Sequence, residues 1–429
     1  MKNIDKSKIK ALFNQYCYLL LFIILLIAFF SRLLYINFHE LTPLQASIAE
    51  QHGEIAINVY KGYGYKIHPD LPETSSRSPL YILFLVGLWK IFGFNLYYGL
   101  VAQCVFDTLT TLMLFFLTTL IFQKKIIGLL AAFLWAIYIP EWNYVVNLYS
   151  EGMFALMLIF HFFFFIKALK KDNWFCYILS VIFLGLSTLT RPTSHLYIYL
   201  LWIPLLTVYR KDKLRVLSRY VVLFTVYFAV LSPWMMRNYA LTGKLLITPP
   251  MLGSIYLLNN AFDEPTAEPR VRKIFKEAIN NKYRDMLIHE KYSEVELSEI
   301  FWPEEKKYII NHFDKYFKNC MERFLNLLFN YGGWKNRAFT FKCLLFISAN
   351  ICFWSSVFIT CFLCRDSFVL LTPIWCFMFF QVGGLSCLGY APRYLLHIWP
   401  YLIMHFAYVL YMVTSRIYQS IVAPHTQKY

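Results

Sequence analysis

The chain has 429 residues, of which 59% are hydrophobic and 20% aromatic, and only 15% are charged. In soluble domains about a quarter of the residues are charged, and apolar blocks of about 20 residues, the length of a bilayer-crossing helix, are absent. The composition therefore excludes a soluble globular protein and predicts an all-α polytopic membrane protein. The net charge of +16 lies in short tethers between apolar blocks, as the positive-inside rule describes, so no nucleic-acid partner is predicted.

Ten apolar blocks are predicted to be transmembrane helices. They fall at about 17–35, 96–122, 126–147, 152–168, 174–190, 194–209, 216–234, 342–364, 367–386 and 394–414. The first lacks a small-x-small cleavage site after it and is predicted to be an uncleaved span. Basic tethers separate the blocks, among them Lys124-Lys125, Lys167 with Lys170 and Lys171, Arg210 to Arg219, Arg365 and Arg416. If the basic N-terminus is cytoplasmic, the ten-span count puts all these tethers on the cytoplasmic side.

One further apolar segment, Pro79 to Phe92, has about 14 residues and ends with Trp89 and Lys90. It is short for a span, and counting it as one would move most later basic tethers to the outside. It is therefore predicted to be an interfacial or re-entrant helix.

Two polar segments are predicted to share the outer face. The chain accordingly divides into an N-terminal membrane bundle (1–234, with a first outer loop at 36–95), an outer-face helical loop (235–341) and C-terminal membrane helices (342–429). In the first loop, Leu44, Ile48, Ile55 and Val59 form one apolar helical face, which predicts a helix on the membrane surface that ends at the glycines of 61–65. In the second, residues 268–323 are predicted to form a small helical cap.

Five short motifs stand in order along this plan. They are Arg77-Ser78-Pro79-Leu80-Tyr81; Asn147-Leu148-Tyr149-Ser150-Glu151; Leu189-Thr190-Arg191-Pro192-Thr193; Pro233 to Tyr239 with Gly243 and Asn259-Asn260; and Arg393-Tyr394 with His397 and Pro400. In this order and spacing the chain resembles the GT-C-type polytopic glycosyltransferases that use polyprenyl-phosphate sugars. These include the dolichyl-phosphate-mannose protein mannosyltransferases and the aminoarabinose transferases of lipid A.

The resemblance implies a membrane helix bundle with juxtamembrane helices in the first outer loop, and sugar transfer on the outer face from a polyprenyl-phosphate donor to a lipid, glycan or protein acceptor. Glu151 falls on the second acidic position of the family. The first acidic position, about ten residues before the stretch Asn58 to Gly64, is Ile48 here. The nearest acids are Glu50 and Glu54, with Glu40 further away.

The chemistry of such a transfer needs acids and cations at one site. A carboxylate takes the proton of the acceptor hydroxyl, and arginine meets the charge that builds on the departing phosphate. The predicted catalytic residues are Glu50 or Glu54 as the base, with Glu151 orienting the acceptor or sharing the proton. The predicted phosphate-binding residues are Arg77, Arg191, Arg237 and Arg393. No cofactor is predicted. No D-x-D with clear ligand spacing is present, so a metal is not implied, but a divalent metal stays open because members of the superfamily that the chain resembles differ on this point.

Other interpretations of the same residues stay open. Glu151 could instead cap its helix, and Asp107, inside the second predicted span, is expected to hydrogen-bond a neighbouring threonine or a polar group on another helix. A lipid-linked-sugar flippase, a non-catalytic donor-binding homologue and an O-antigen-type polymerase or ligase are the alternative functions. The expected location is the bacterial inner membrane, with both termini cytoplasmic.

Overall fold

The computed structural model describes residues 6–38, 51–75, 77–247, 303, 306, 309–329, 341–364, 367–388 and 392–426. Every regular element in these ranges is helical, which confirms the all-α prediction. The α-helices are α1 (Lys6–Phe38), α2 (His52–Tyr60), α3 (Pro79–Phe92), α4 (Leu96–Phe122), α5 (Lys125–Ala136), α6 (Ile139–Val145), α7 (Glu151–Lys171), α8 (Trp174–Thr190), α9 (Trp202–Val208), α10 (Lys213–Thr242), α11 (Phe313–Phe329), α12 (Phe341–Leu363), α13 (Phe368–Leu388) and α14 (Trp399–Thr426). Two 3₁₀ segments, Pro192–Leu200 and Pro392–Ile398, precede α9 and α14.

Six of these helices, α1, α4, α7, α10, α13 and α14, are long and apolar enough to cross a membrane. Shorter apolar helices, among them α3, α5, α8 and the second part of α12, accompany them. The protein is therefore a polytopic helical membrane protein, as the composition predicts.

The basic tethers lie together at one end of the bundle. Lys170 at the end of α7 donates to the carbonyl of Leu120 near the end of α4 (2.8 Å), and Lys124 donates to the Tyr411 hydroxyl of α14 (3.0 Å). Arg219, near the start of α10, pairs with Asp172 just after α7 (2.9 Å). We call this the basic end.

The opposite end carries Glu151 at the start of α7, Arg191 at the end of α8 and Arg237 near the end of α10. Since α7 and α8 are antiparallel neighbours joined at the basic end, the start of one meets the end of the other here. We call this the site end.

Helix α3 has both of its ends at the site end. At its start, Ser78 Oγ donates to the carbonyl of Thr188 in the last turn of α8 (3.3 Å), and at its far end the Trp89 indole donates to the carbonyl of Asn95, the N-cap of α4 (3.0 Å). Fourteen residues rise about 21 Å, less than the thickness of a bilayer core. The contacts thus agree with the prediction that α3 is not a span.

Prolines shape three departures from the predicted spans. The predicted span 126–147 is divided between α5 and α6, because Pro140 opens α6 and disfavours helical backbone just before it. The predicted span 194–209 begins as a 3₁₀ segment after Pro192. Helix α10 continues past Pro233 to Thr242, where Gly243 ends it with a positive φ of 69°, so Arg237 lies on the helix and not after it.

The first outer loop folds onto α3. Helix α2 buries Ile55 completely, while Val59 is half-buried, and its chain turns through Gly62 and Gly64, both with positive φ, as the glycines predict. The other two positions of the predicted apolar face, Leu44 and Ile48, lie outside the described residues. So does most of the predicted cap at 268–323, of which the described part belongs to α11 and the turn before it.

Candidate functional site

The site is centred on a buried ion pair between α7 and α8. Glu151 Oε1 lies 2.9 Å from Arg191 Nη1, with the Glu151 side chain 1% exposed and the Arg191 side chain 12% exposed. The same arginine nitrogen donates to the Ser150 hydroxyl (3.2 Å). Glu151 is therefore more than a helix cap, because its carboxylate also meets a cation from another helix.

The sequence creates this pair through a helix break. Arg191 follows the last residue of α8 in extended backbone (φ −144°, ψ 130°), the conformation that a following proline favours. Leaving the helix there turns Arg191 back toward the first turn of α7. The Arg191-Pro192 and Ser150-Glu151 motifs, which lie 40 residues apart, thus form one structural unit.

Tyr81 and His397 border this pair, although neither was among the predicted site residues. Tyr81 lies one turn after Ser78, which bonds to the last turn of α8, and the His397 ring packs edge-on against Phe154, one turn after Glu151 (4.7 Å between centroids). Both side chains are buried, at 0% and 3% exposure. Both belong to the motifs that carry the resemblance, but only the folding of α3 and of the second 3₁₀ segment onto α7 and α8 places them beside the pair.

Arg237 lies in the final turns of α10 and holds the segment before α3. It donates to the carbonyl of Thr74 (2.7 Å) and to Glu73 Oε2 (2.9 Å). Its guanidinium also lies over the rings of Tyr65 (4.9 Å) and Trp234 (4.7 Å), a favourable cation–π geometry. Its side chain remains 23% exposed, so Arg237 holds the segment before α3 in place and is also accessible to a ligand.

Arg77 lies in the segment before α3, which contacts both α10 and the end of α8. It is half-buried, and its carbonyl accepts a hydrogen bond from the Tyr65 hydroxyl (3.1 Å). The next residue, Ser78, is bonded to the end of α8 as described above. The segment 73–78 therefore links Arg237 to the helix that ends at Arg191, and it brings three predicted phosphate-binding residues to one region of the site end.

Glu54 lies on α2 with different neighbours. Burial raises the pKa of its carboxyl group above the ordinary value, and the charge of His68 opposes this effect. Helix α2 still contacts the site, because the His52 ring packs edge-on against Tyr81 (5.9 Å between centroids). Glu54 thus has His68 as its ionic neighbour, whereas Glu151 has Arg191. Glu40 and Glu50, and the side chain of Arg393, lie outside what the structure describes.

Asp107 is held by other helices, as expected from the sequence. It accepts a hydrogen bond from the Trp135 indole of α5 (2.9 Å) and forms an ion pair with Arg32 of α1. Arg32, which is completely buried, also donates to the carbonyls of Trp135 and Ala136 at the end of α5. Arg32 was not predicted to take part in such a pair, since an arginine near the end of a span is more often a snorkelling residue.

The comparisons with known proteins support the resemblance. Residues 76–236 match the family model described as dolichyl-phosphate-mannose-protein mannosyltransferase. No curated protein matches the chain. The matched range includes the α3 motif with Arg77 and Tyr81, together with the Glu151–Arg191 pair, on a helical multi-span fold. The match covers less than half of the chain, and it supports the predicted resemblance to membrane glycosyltransferases of the GT-C type.

Proposed function

We propose that this protein transfers a sugar from a polyprenyl-phosphate donor to a hydroxyl group of a lipid, glycan or protein acceptor at the site end. The observation that carries the proposal is the buried Glu151–Arg191 pair at the membrane boundary, within the residues that match the family. The buried carboxylate can accept a proton, or a hydrogen bond from a hydroxyl group, and the guanidinium beside it can bind a phosphate. A lipid-anchored donor also requires a site near the membrane surface.

In the proposed reaction the acceptor oxygen forms a bond to the sugar C1 as the bond from C1 to the phosphate oxygen breaks. The leaving polyprenyl phosphate takes the bonding electron pair, and the acceptor proton passes to a carboxylate. Glu54 or Glu50 is the proposed base, and Glu151 orients the acceptor or shares the proton. Arg77, Arg191, Arg237 and Arg393 are the proposed partners of the phosphate, where fixed positive charge stabilises the transition state.

We further propose that the basic end faces the cytoplasm and the site end faces the outside of a bacterial inner membrane. The support is the segregation of charge: Lys124, Lys170 and Arg219 all lie at one end, as the positive-inside rule requires of cytoplasmic tethers. The start of α1 lies there too, since Lys125 is over the Tyr18 ring (4.7 Å), and so does the later part of α14 through Tyr411. Both termini are then cytoplasmic.

The test is sugar transfer by the purified protein in proteoliposomes. We expect label to pass from radiolabelled polyprenyl-phosphate sugars to a membrane-extract acceptor, and not from the matching nucleotide sugars. Label moving from the nucleotide sugars would contradict the donor assignment. Tight binding of the lipid donors without transfer to any acceptor fraction would contradict the enzyme assignment and favour a non-catalytic homologue.

The proposed base predicts the pH dependence of transfer. A base works only when deprotonated, so transfer falls as pH drops through the pKa of Glu54, which burial raises. Because His68 lowers that pKa, we expect His68→Gln to raise it and to move the acid limb of kcat/KM to higher pH by roughly a few tenths of a unit. His68 is exposed at 63% of its side chain, so folding should not change. An acid limb that stays in place would show that Glu54 is not the titrating base.

A further inference from the structure

Two buried polar side chains at the site have unused hydrogen-bonding capacity. The Tyr81 hydroxyl and the His397 Nε2 atom make no hydrogen bond within the described part of the chain. Burying such a group without a partner costs free energy, and native structures rarely keep one without a reason. Here two of them lie near one ion pair: Tyr81 is one turn after Ser78, which bonds to the last turn of α8, and His397 packs against Phe154, one turn after Glu151.

The surroundings hold both groups in place. Tyr81 lies on α3, with its ring against His52 at 5.9 Å between centroids. The His397 ring packs edge-on against Phe154 of α7 (4.7 Å) and Phe377 of α13 (5.7 Å). The phenylalanine rings offer His397 no hydrogen-bond partner, and the edge-on contact of His52 with the Tyr81 ring leaves the Tyr81 hydroxyl without a hydrogen bond. These contacts fix the two rings and leave the polar atoms able to bind a ligand.

The chemistry of the two groups indicates what that ligand is. A phenol hydroxyl and an imidazole nitrogen can each donate or accept a hydrogen bond, depending on the hydroxyl rotamer and the tautomer. Sugar hydroxyls have the same dual capacity, whereas a phosphate only accepts and is matched by arginine. We propose that Tyr81 and His397 bind the sugar ring of the donor through its hydroxyl groups. This inference rests on the proposed function, and it adds the sugar-contacting residues to the site.

The test compares donors with and without a sugar. The probes are unglycosylated polyprenyl phosphate and polyprenyl phosphates that carry a hexose or a pentose, with binding to the purified protein measured in detergent. We expect Tyr81→Phe to weaken binding of the preferred glycosylated probe roughly 5- to 10-fold, the effect of about one hydrogen bond. Binding of the unglycosylated lipid should stay the same, because its phosphate does not contact the hydroxyl group.

Thermal stability separates this role from a structural one. If the Tyr81 hydroxyl serves only the ligand, Tyr81→Phe leaves the Tm of the ligand-free protein unchanged or raises it, because a buried hydroxyl without a partner is removed. Tyr197→Phe is the opposite control, because the Tyr197 hydroxyl donates to the carbonyl of Pro373 (2.8 Å), and its removal should lower the Tm. Tyr401→Phe is the matched control for binding: its hydroxyl is likewise buried and makes no hydrogen bond among the described residues, so the Tm should not fall and sugar binding should not change.

His397 is tested in the same assay. His397→Leu should lose sugar-dependent affinity, and His397→Asn, whose amide can both donate and accept, should keep part of it. A lower Tm for Tyr81→Phe, or equal weakening of both classes of probe, would overturn the sugar assignment. A wild-type protein that binds glycosylated and bare lipid equally would overturn it as well, while leaving a lipid-phosphate site intact. Binding of neither would contradict the proposed function itself.

Discussion

Glu151→Gln is expected to lower sugar transfer by roughly 10²- to 10⁴-fold, the range found when a general acid–base group or a charge-stabilising group is removed. The substitution keeps the shape of the side chain but removes the charge that lies 2.9 Å from Arg191. Glutamine can neither share the acceptor proton nor balance the guanidinium as the phosphate arrives and leaves. Transfer of label from the polyprenyl-phosphate donor, with donor binding measured in parallel, gives the result.

A lost activity could reflect a lost fold, because an uncompensated buried cation is costly. The double variant Glu151→Gln with Arg191→Gln removes both charges and should recover stability without recovering transfer. The matched control is Asp172→Asn, at the other end of α7, which also removes a carboxylate paired with an arginine. That variant should transfer normally. Wild-type rates in a folded Glu151→Gln protein would remove Glu151 from the mechanism.

Asp172 also shows how the two ends of α7 differ. Although burial raises its pKa, hydrogen bonds from Tyr209 and Arg219 and the charges of Arg219 and Arg215 outweigh this effect, so the pKa lies below the ordinary value. A carboxyl group whose pKa is depressed on folding contributes stability above its unfolded pKa and loses it as pH falls through the folded value. At the basic end the carboxylate is therefore a stabilising partner of the tethers.

Much of the fold could be predicted from local patterns. Apolar length and the placement of Lys and Arg are local properties, and they were enough to predict an all-helical membrane bundle and to separate α3 from the spans. Glu151 stood out because a carboxylate at the start of an apolar run is rare. The breaks at Pro140 and Pro192 were present in the sequence too, but an apolar run that continues past a proline is difficult to distinguish from one helix.

The partners across the fold could not be predicted. Arg191 and Glu151 are separated by 40 positions, and Tyr81 reaches them only because α3 folds back on α8. No periodicity connects such residues, since their contact depends on how the helices pack. Arg32 could not be predicted for the same reason. The residues around it in the sequence are those of an ordinary span, and only the packing of α1 against α4 and α5 shows that it is completely buried.

Breaking the Arg32–Asp107 pair is expected to cost about 3–5 kcal/mol of unfolding free energy, because either single substitution leaves a buried charge without its partner. Both side chains are nearly inaccessible, at 0% and 3% exposure. Arg32→Met and Asp107→Asn should each show this loss in graded denaturation of the purified protein in detergent. Arg219→Met is the comparison: its pair with Asp172 is more exposed, at 11% and 30%, so its loss should cost less than the loss of the Arg32–Asp107 pair, although Arg219 donates three hydrogen bonds to the Asp172 carboxylate.

The double variant is the sharper measurement. With both charges gone, Arg32→Met with Asp107→Asn should be more stable than either single variant, and the amide oxygen introduced by Asp107→Asn would still accept the hydrogen bond of the Trp135 indole. It should still be less stable than the wild type by about 1–3 kcal/mol, because the carbonyls of Trp135 and Ala136 lose the donors that Arg32 supplies. If the double variant lost as much stability as the two single variants together, the result would contradict a charge pair between Arg32 and Asp107.

The contacts of Arg32 at the end of α5 also affect the position of Glu151 in the candidate site. The end of a helix leaves carbonyls unpaired, and inside a bilayer no water is available to satisfy them. Arg32 fills that role where α5 stops ahead of Pro140, so α6 can leave at a new angle toward Glu151. Gln103 of α4 then holds this connection by donating to the carbonyls of Val145 (3.2 Å) and Asn147 (2.6 Å). We therefore expect the Arg32 variants to lose transfer together with stability, whereas Arg219→Met keeps transfer although it loses some stability. Full transfer by a destabilised Arg32→Met protein would show that the contacts of Arg32 stabilise the bundle without positioning Glu151.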